Sequence, residues 1–162
     1  MTDKYDSRED TEAHIERVSE LIDGARDLLA IRADQHDSSK MRSPEKPIFD
    51  EVTHLLKAMT YGSDKYKESL ARMRPALDHH YAFNRHHPEH FENGITDMSL
   101  LDIFEMLADW KAATERHADG NIERSLEINE KRFKIPETLI VILKNTVKEL
   151  GWDATIDICP TD

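Results

Sequence analysis

The sequence is short of cysteine, glycine and basic charge, and each shortage removes a class of function. Cys159 is the only cysteine among 162 residues, which excludes an internal disulfide and any CxxC pair for zinc or redox work. It sits in a proline-containing tail, a poor setting for a structural or catalytic thiol. The five glycines form no Gly-rich phosphate loop and no Walker sequence. No apolar run approaches the ~20 residues of a membrane span. The opening Met1-Thr2-Asp3-Lys4-Tyr5-Asp6 lacks the basic and apolar regions of a signal peptide. A cytoplasmic protein with no membrane partner is therefore expected. A net charge of −11 argues against a nucleic acid polymer as partner, because phosphate-backbone binding needs a basic face. A small anionic ligand stays open, since a local basic patch can oppose the global sign.

What is present is a helical pattern. Hydrophobic residues are 38% and charged residues 34%, and 162 residues suit one domain with a real core. We expect a flexible N-terminus over residues 1–7, one helical domain over 8–150 and a tail over 151–162. From about 8 to 31, Ile15, Val18, Leu21, Ile22, Ala25, Leu28 and Leu29 recur at helical spacing, with His14 on the Val18, Leu21 and Ala25 side. His14 is thus expected to point towards the core, either as a ligand or as a partly buried histidine ending the apolar face. His36-Asp37 falls in a turn, and Pro44 and Pro47 mark residues 41–47 as a surface connector.

A helix over about 48–61 carries Phe49, Val52, Leu55, Leu56 and Met59, and ends at Tyr61-Gly62. Ser63 can cap the next, which runs to about Asn84 with Tyr66, Leu70, Met73, Leu77 and His80 on one stripe and Pro75 as a kink or junction. Asp97 or Ser99 caps a helix to about His117. Leu100, Ile103, Phe104, Leu107 and Trp110 form its apolar side, and Asp102, Glu105, Asp109 and Arg116 its charged side. On periodicity alone that charged side faces solvent. A turn at Asp119-Gly120 leads to two closing helices over 121–133 and 136–150, the second with proline in its first turn and Gly151 past its end.

Nine histidines are unevenly spread: five of them, His79, His80, His86, His87 and His90, fall within twelve residues. The loop His86-His87-Pro88-Glu89-His90 is not explained by periodicity. Three arginines (Arg72, Arg74, Arg85) share the region, with only Asp78 and Glu89 opposing them between 72 and 90. Imidazole and carboxylate donors in this mix suit one or two divalent ions such as Mn, Fe, Co, Ni or Zn, with Mg less suited where several nitrogens bind.

The order His14, His36-Asp37, Asp109 (within Leu107-Ala108-Asp109), with Lys40 three residues after the pair, resembles that of the HD superfamily of metal-dependent phosphohydrolases. The resemblance covers roughly residues 11–117 and points to an uncharacterised phage or bacterial branch. Ser38-Ser39 departs from the commonest pattern, and the dense histidine loop leaves the intermediate ligands unassigned. What the resemblance implies is an all-α, HD-like bundle of about six to seven helices around a metal site. It implies His14, His36, Asp37 and Asp109 as metal ligands, with His80 and His87 favoured for a second ion and His79, His86 and His90 as alternates.

It further implies hydrolysis of a small phosphorylated substrate, a nucleotide being the foremost candidate, by metal-activated water. Lys40, His86, His87 and Glu105 are the candidate catalytic groups, and Lys40, Arg72, Arg74 and Arg85 the candidate phosphate contacts. The acidic side of the helix holding Asp109 would then face the pocket. Two other readings stand beside this one: an HD-type di-iron oxygenase acting on a small substrate, and a non-catalytic helical binding or regulatory protein. Small HD-like proteins are often dimers, so a homodimer is the assembly to look for.

Overall fold

In a computed structural model the chain is all-α, and the described residues are 5–57, 64–116 and 120–153. Six α-helices lie among them: α1 (Arg8–Gln35), α2 (Glu45–Lys57), α3 (Asp64–Phe83), α4 (Leu100–Thr114), α5 (Ile122–Phe133) and α6 (Glu137–Glu149). Short 3-10 turns at Ser38–Met41, Pro88–His90 and Gly94–Asp97 join them. No described helix is long and apolar enough to cross a membrane. The expectations for Met59, Tyr61-Gly62, the Ser63 cap, the tip at His117, Asp119 and Cys159 lie outside the described residues.

The chain divides into two units, Met1–His36 and Asp37–Asp162. The first is essentially α1, whose 28 residues at ~1.5 Å each span roughly 42 Å. Glu9 and Asp10 in its first turn and Arg32 in its last complement the helix dipole. Arg17–Glu20 and Arg26–Asp23, each 2.7 Å, add ion pairs along its surface. No residue of α1 is buried: Ile15, Leu21 and Ile22 are exposed, and so is His14. The sequence stripe expected to face a core, with His14 on it, does not do so. A unit made of one helix has no second element of its own to bury that stripe against.

The second unit holds the core. α2 packs on α3, with Val52 and Ala76 fully buried, and the Ser38–Met41 turn rests on both helices. Pro47 falls in the first turn of α2, where its missing N–H leaves no helical bond unmade, so the expected connector is in fact a helix start. α3 runs on through Pro75 as one helix. α4 packs on α5 and α5 on α6, and Met106, Leu107, Trp110, Leu126, Leu143 and Val147 fill the space between.

The start of α4 is tied down twice. Ser99 and Asp102 form a capping box, and the fully buried Asp102 also takes a two-pronged ion pair from Arg85 at 3.1 and 3.0 Å. Arg85 lies over the Phe91 ring as well, so its guanidinium is committed to structure. Asn121 caps α5, and Lys134 in a left-handed conformation ends it.

Candidate metal centre

Asp37 opens the second unit with φ 55° and ψ 13°, a left-handed conformation that Asp tolerates better than most residues. This bend ends one helical direction before the Ser38–Met41 turn begins. Lys40, one turn on, places its Nζ 2.6 Å from Asp37 Oδ2, which leaves Oδ1 to face the histidines. His80 Nε2 lies 3.2 Å from Oδ1 and His86 Nε2 3.6 Å from it. His87 Nε2 is 2.9 Å from His80 Nε2. Donor atoms of Asp37, His80, His86 and His87 all fall within 4.8 Å of one another, and His80 and His86 are almost wholly buried.

Carboxylates behind the rings set which nitrogen faces inward. Glu45, fully buried, holds His80 Nδ1 at 2.9 Å and His79 Nδ1 at 2.7 Å, and receives the Ser39 hydroxyl at 3.0 Å. Burial pushes the Glu45 carboxyl up, but the bonds from His79, Ser39 and His80 outweigh it and hold the group below its ordinary value. Glu105 stands behind His86 in the same way, its Oε1 3.2 Å from Nδ1. An imidazole that donates from Nδ1 to a carboxylate presents a lone pair at Nε2. Burial, with His86 and His80 close by, lowers His87 to about 3, against a weaker opposing pull from Asp109.

The centre thus gathers ring nitrogens of His80, His86 and His87 and a carboxylate oxygen around one small volume, a set of donors that suits a cation. Asp109 is half-buried on α4, with a carboxylate oxygen within 4.8 Å of one of Asp37's. The charged side of α4 therefore does not simply face solvent: Asp102 is buried, Glu105 backs His86 and Asp109 sits beside Asp37.

Each remaining candidate has its own setting. His36 is the half-buried C-cap residue of α1, and His14 and His36 both belong to the first unit. His79 turns to Glu45 and packs with its ring tilted against Phe83, while His90 donates from Nδ1 to the Tyr81 carbonyl at 2.9 Å. Arg72 pairs with Glu51 and Arg74 with Asp78.

A family model matches residues 3–150, nearly the whole described chain. The chain belongs to DUF5662, a family of unknown function. No curated protein and no solved structure matches this DUF5662 chain.

Sequence reasoning missed Glu45, which no motif marks and which the flanking Pro44 and Pro47 disguise as connector. The one available signal was an acidic residue ahead of a proline that fits a first helical turn, the usual place for a carboxylate at a helix start.

Proposed function

We propose that this DUF5662 protein is a metal-dependent phosphohydrolase acting on a small phosphorylated substrate, a nucleotide being the first to test. The observation that carries the reading is the set of three imidazole nitrogens and one Asp37 oxygen within 4.8 Å, each of two rings backed by a carboxylate. A nitrogen-rich set of this kind suits Mn, Fe, Co, Ni or Zn and disfavours Mg. A divalent ion there would supply Lewis acidity to a phosphoryl oxygen and lower the pKa of water. Asp109, whose carboxylate lies beside that of Asp37, would help to hold a second ion. The choice of phosphoester rests on the HD-superfamily resemblance, of which Asp37, Lys40 and Asp109 are the members in the second unit.

The chain's own groups divide the work. Glu45 and Glu105 hold His80 and His86 in the tautomer that binds metal. Lys40 is 38% exposed at its side chain, so it can turn from Asp37 towards a non-bridging oxygen of an incoming phosphate. Arg72 and Arg74 must leave exposed ion pairs to help, and such pairs cost little to break. Arg85 is the poorest of the candidate phosphate contacts, because leaving Asp102 would strand a buried carboxylate.

The test is elemental analysis of the purified protein, then phosphate release from a nucleotide panel with Mn, Co, Ni or Mg added. Release that depends on metal, together with loss of both metal and turnover in Asp37→Ala, is the expected result. Unchanged metal content and turnover in that variant would reject the centre. Bound iron with oxygen uptake and no phosphate release would favour the oxygenase reading.

A further inference from the structure

α1 carries a long apolar face with no second helix in its unit to cover it. Thr11, Ile15, Val18, Ile22, Ala25 and Leu29 follow one another by alternate steps of four and three residues, and Leu21 and Leu28 widen the line on one side. This is the spacing by which two helices bury a shared seam. Ala25 and Leu29 are half-buried, but Ile15, Val18, Leu21, Ile22 and Leu28 are between 39% and 64% exposed. Ile31 is the one large apolar residue of the helix off the line. A helix draws most of its stability from packing such a face, so a helix of 28 residues that buries none of them is short of a partner.

The charges beside the seam select the partner. No charged residue interrupts it from Thr11 to Leu29, a length of about 27 Å, and Arg8 and Arg32 stand at its ends, where long side chains reach water. Along one flank Glu12, Ser19 and Arg26 come at seven-residue intervals. When a second α1 lies antiparallel on the first, with the two-fold axis passing between Ser19 and Leu21, Val18 meets Ile22 of the second copy and Ile15 meets its Ala25. The same rotation brings Glu12 against Arg26 of the second copy, and Arg26 against its Glu12, because both lie seven residues from Ser19. Arg26 answers Asp23 at 2.7 Å and Asp27 at 3.2 Å in its own helix, and its guanidinium has further N–H donors for another carboxylate. A parallel pair would instead set Arg26 beside Leu21 of the second copy and align the two helix dipoles in the same sense. An anionic lipid surface is a poorer occupant, since α1 holds eight acidic residues against four arginines.

We propose that α1 is a dimerisation helix whose occupant is the α1 of a second copy of this chain, laid antiparallel. The apolar seam supplies the affinity, and two symmetry-related Glu12–Arg26 pairs fix the direction. The pairing does not depend on the metal reading.

The experiment is sedimentation equilibrium of the full chain at low salt, from micromolar to sub-millimolar concentration. A reversible monomer–dimer equilibrium is expected. Leu21→Glu and Ile22→Glu, both at exposed positions, should each weaken it tenfold or more. Glu12→Arg and Arg26→Glu should each weaken it about fivefold, since either change turns two attractive pairs into two repulsive ones, and the two changes in one chain should restore it. An equimolar mixture of the two single variants should form the mixed dimer in preference to either homodimer, a result that no contact within one chain can imitate. Asp37→Ala, outside the seam, should dimerise as the parent does. A monomer at every concentration, whether or not it binds phosphatidylserine vesicles, a dimer that Leu21→Glu and Ile22→Glu leave intact, or no preference for the mixed dimer would overturn the proposal.

Discussion

Glu45 is the residue through which the geometry of the candidate centre can be probed without touching a donor atom. It reaches His80 on the ring nitrogen opposite to the one facing Asp37. Removing such a carboxylate weakens metal affinity by roughly 10–100-fold, since the ring is free to turn and to change tautomer. We expect Glu45→Ala to show a loss of that size in competition with a chelator, and Glu45→Gln, which keeps an acceptor, a smaller one.

His87 gives a second, pH-based expectation. Its folded value, about 3, lies below the ordinary ~6.5 of a histidine, so the unfolded chain binds the proton more readily. The contribution to stability is whole above about pH 6.5 and is lost as pH falls towards 3. Denaturation midpoints of the metal-free protein should fall over that window, and His87→Gln should flatten the fall.

At the scale of elements, periodicity located the helices well because apolar stripes and caps are local signals. The closing helices expected over 121–133 and 136–150 are α5 and α6 within a residue at each end, and Ser99 proved to be the cap of α4. Two features escaped because they depend on partners far along the chain. The stripe of α1 read as a core face although no residue of that helix is buried. Among the five clustered histidines, the helical stripe favoured His80 and the reach of the loop favoured His87, but neither could rank His86, whose Glu105 partner comes from another helix. The charged side of α4 was legible only through the Asp109 context, since a solvated face and a site-lining face share one periodicity.

The cap of α4 yields a direct check. Ser99→Ala should cost about 1 kcal/mol, the usual worth of an N-cap, in urea denaturation. Asp102→Ala should cost more, because it removes the other half of the box and the partner of Arg85 together.

For the whole molecule, stability resides in the second unit's packing of α4, α5 and α6. Leu126 has no exposed surface, and Leu126→Ala should destabilise by about 2–5 kcal/mol, read from the shift in denaturation midpoint. An ion bound only by the folded state adds to this by mass action, about 2.7 kcal/mol at a free concentration one hundred times its Kd. The melting temperature should therefore drop on chelation, and should not respond to a chelator in Asp37→Ala.

One contact bears on how α3 can move. Glu45 grips His79 with one oxygen and His80 with the other, and neighbouring residues on a helix are turned by about 100° from each other. A single carboxylate braced across that angle resists any roll of α3 about its own axis, because rotation in either direction lengthens one bond or the other. It therefore works as an angular stop between α2 and α3, indexing the helix so that the His80 ring arrives beside Asp37.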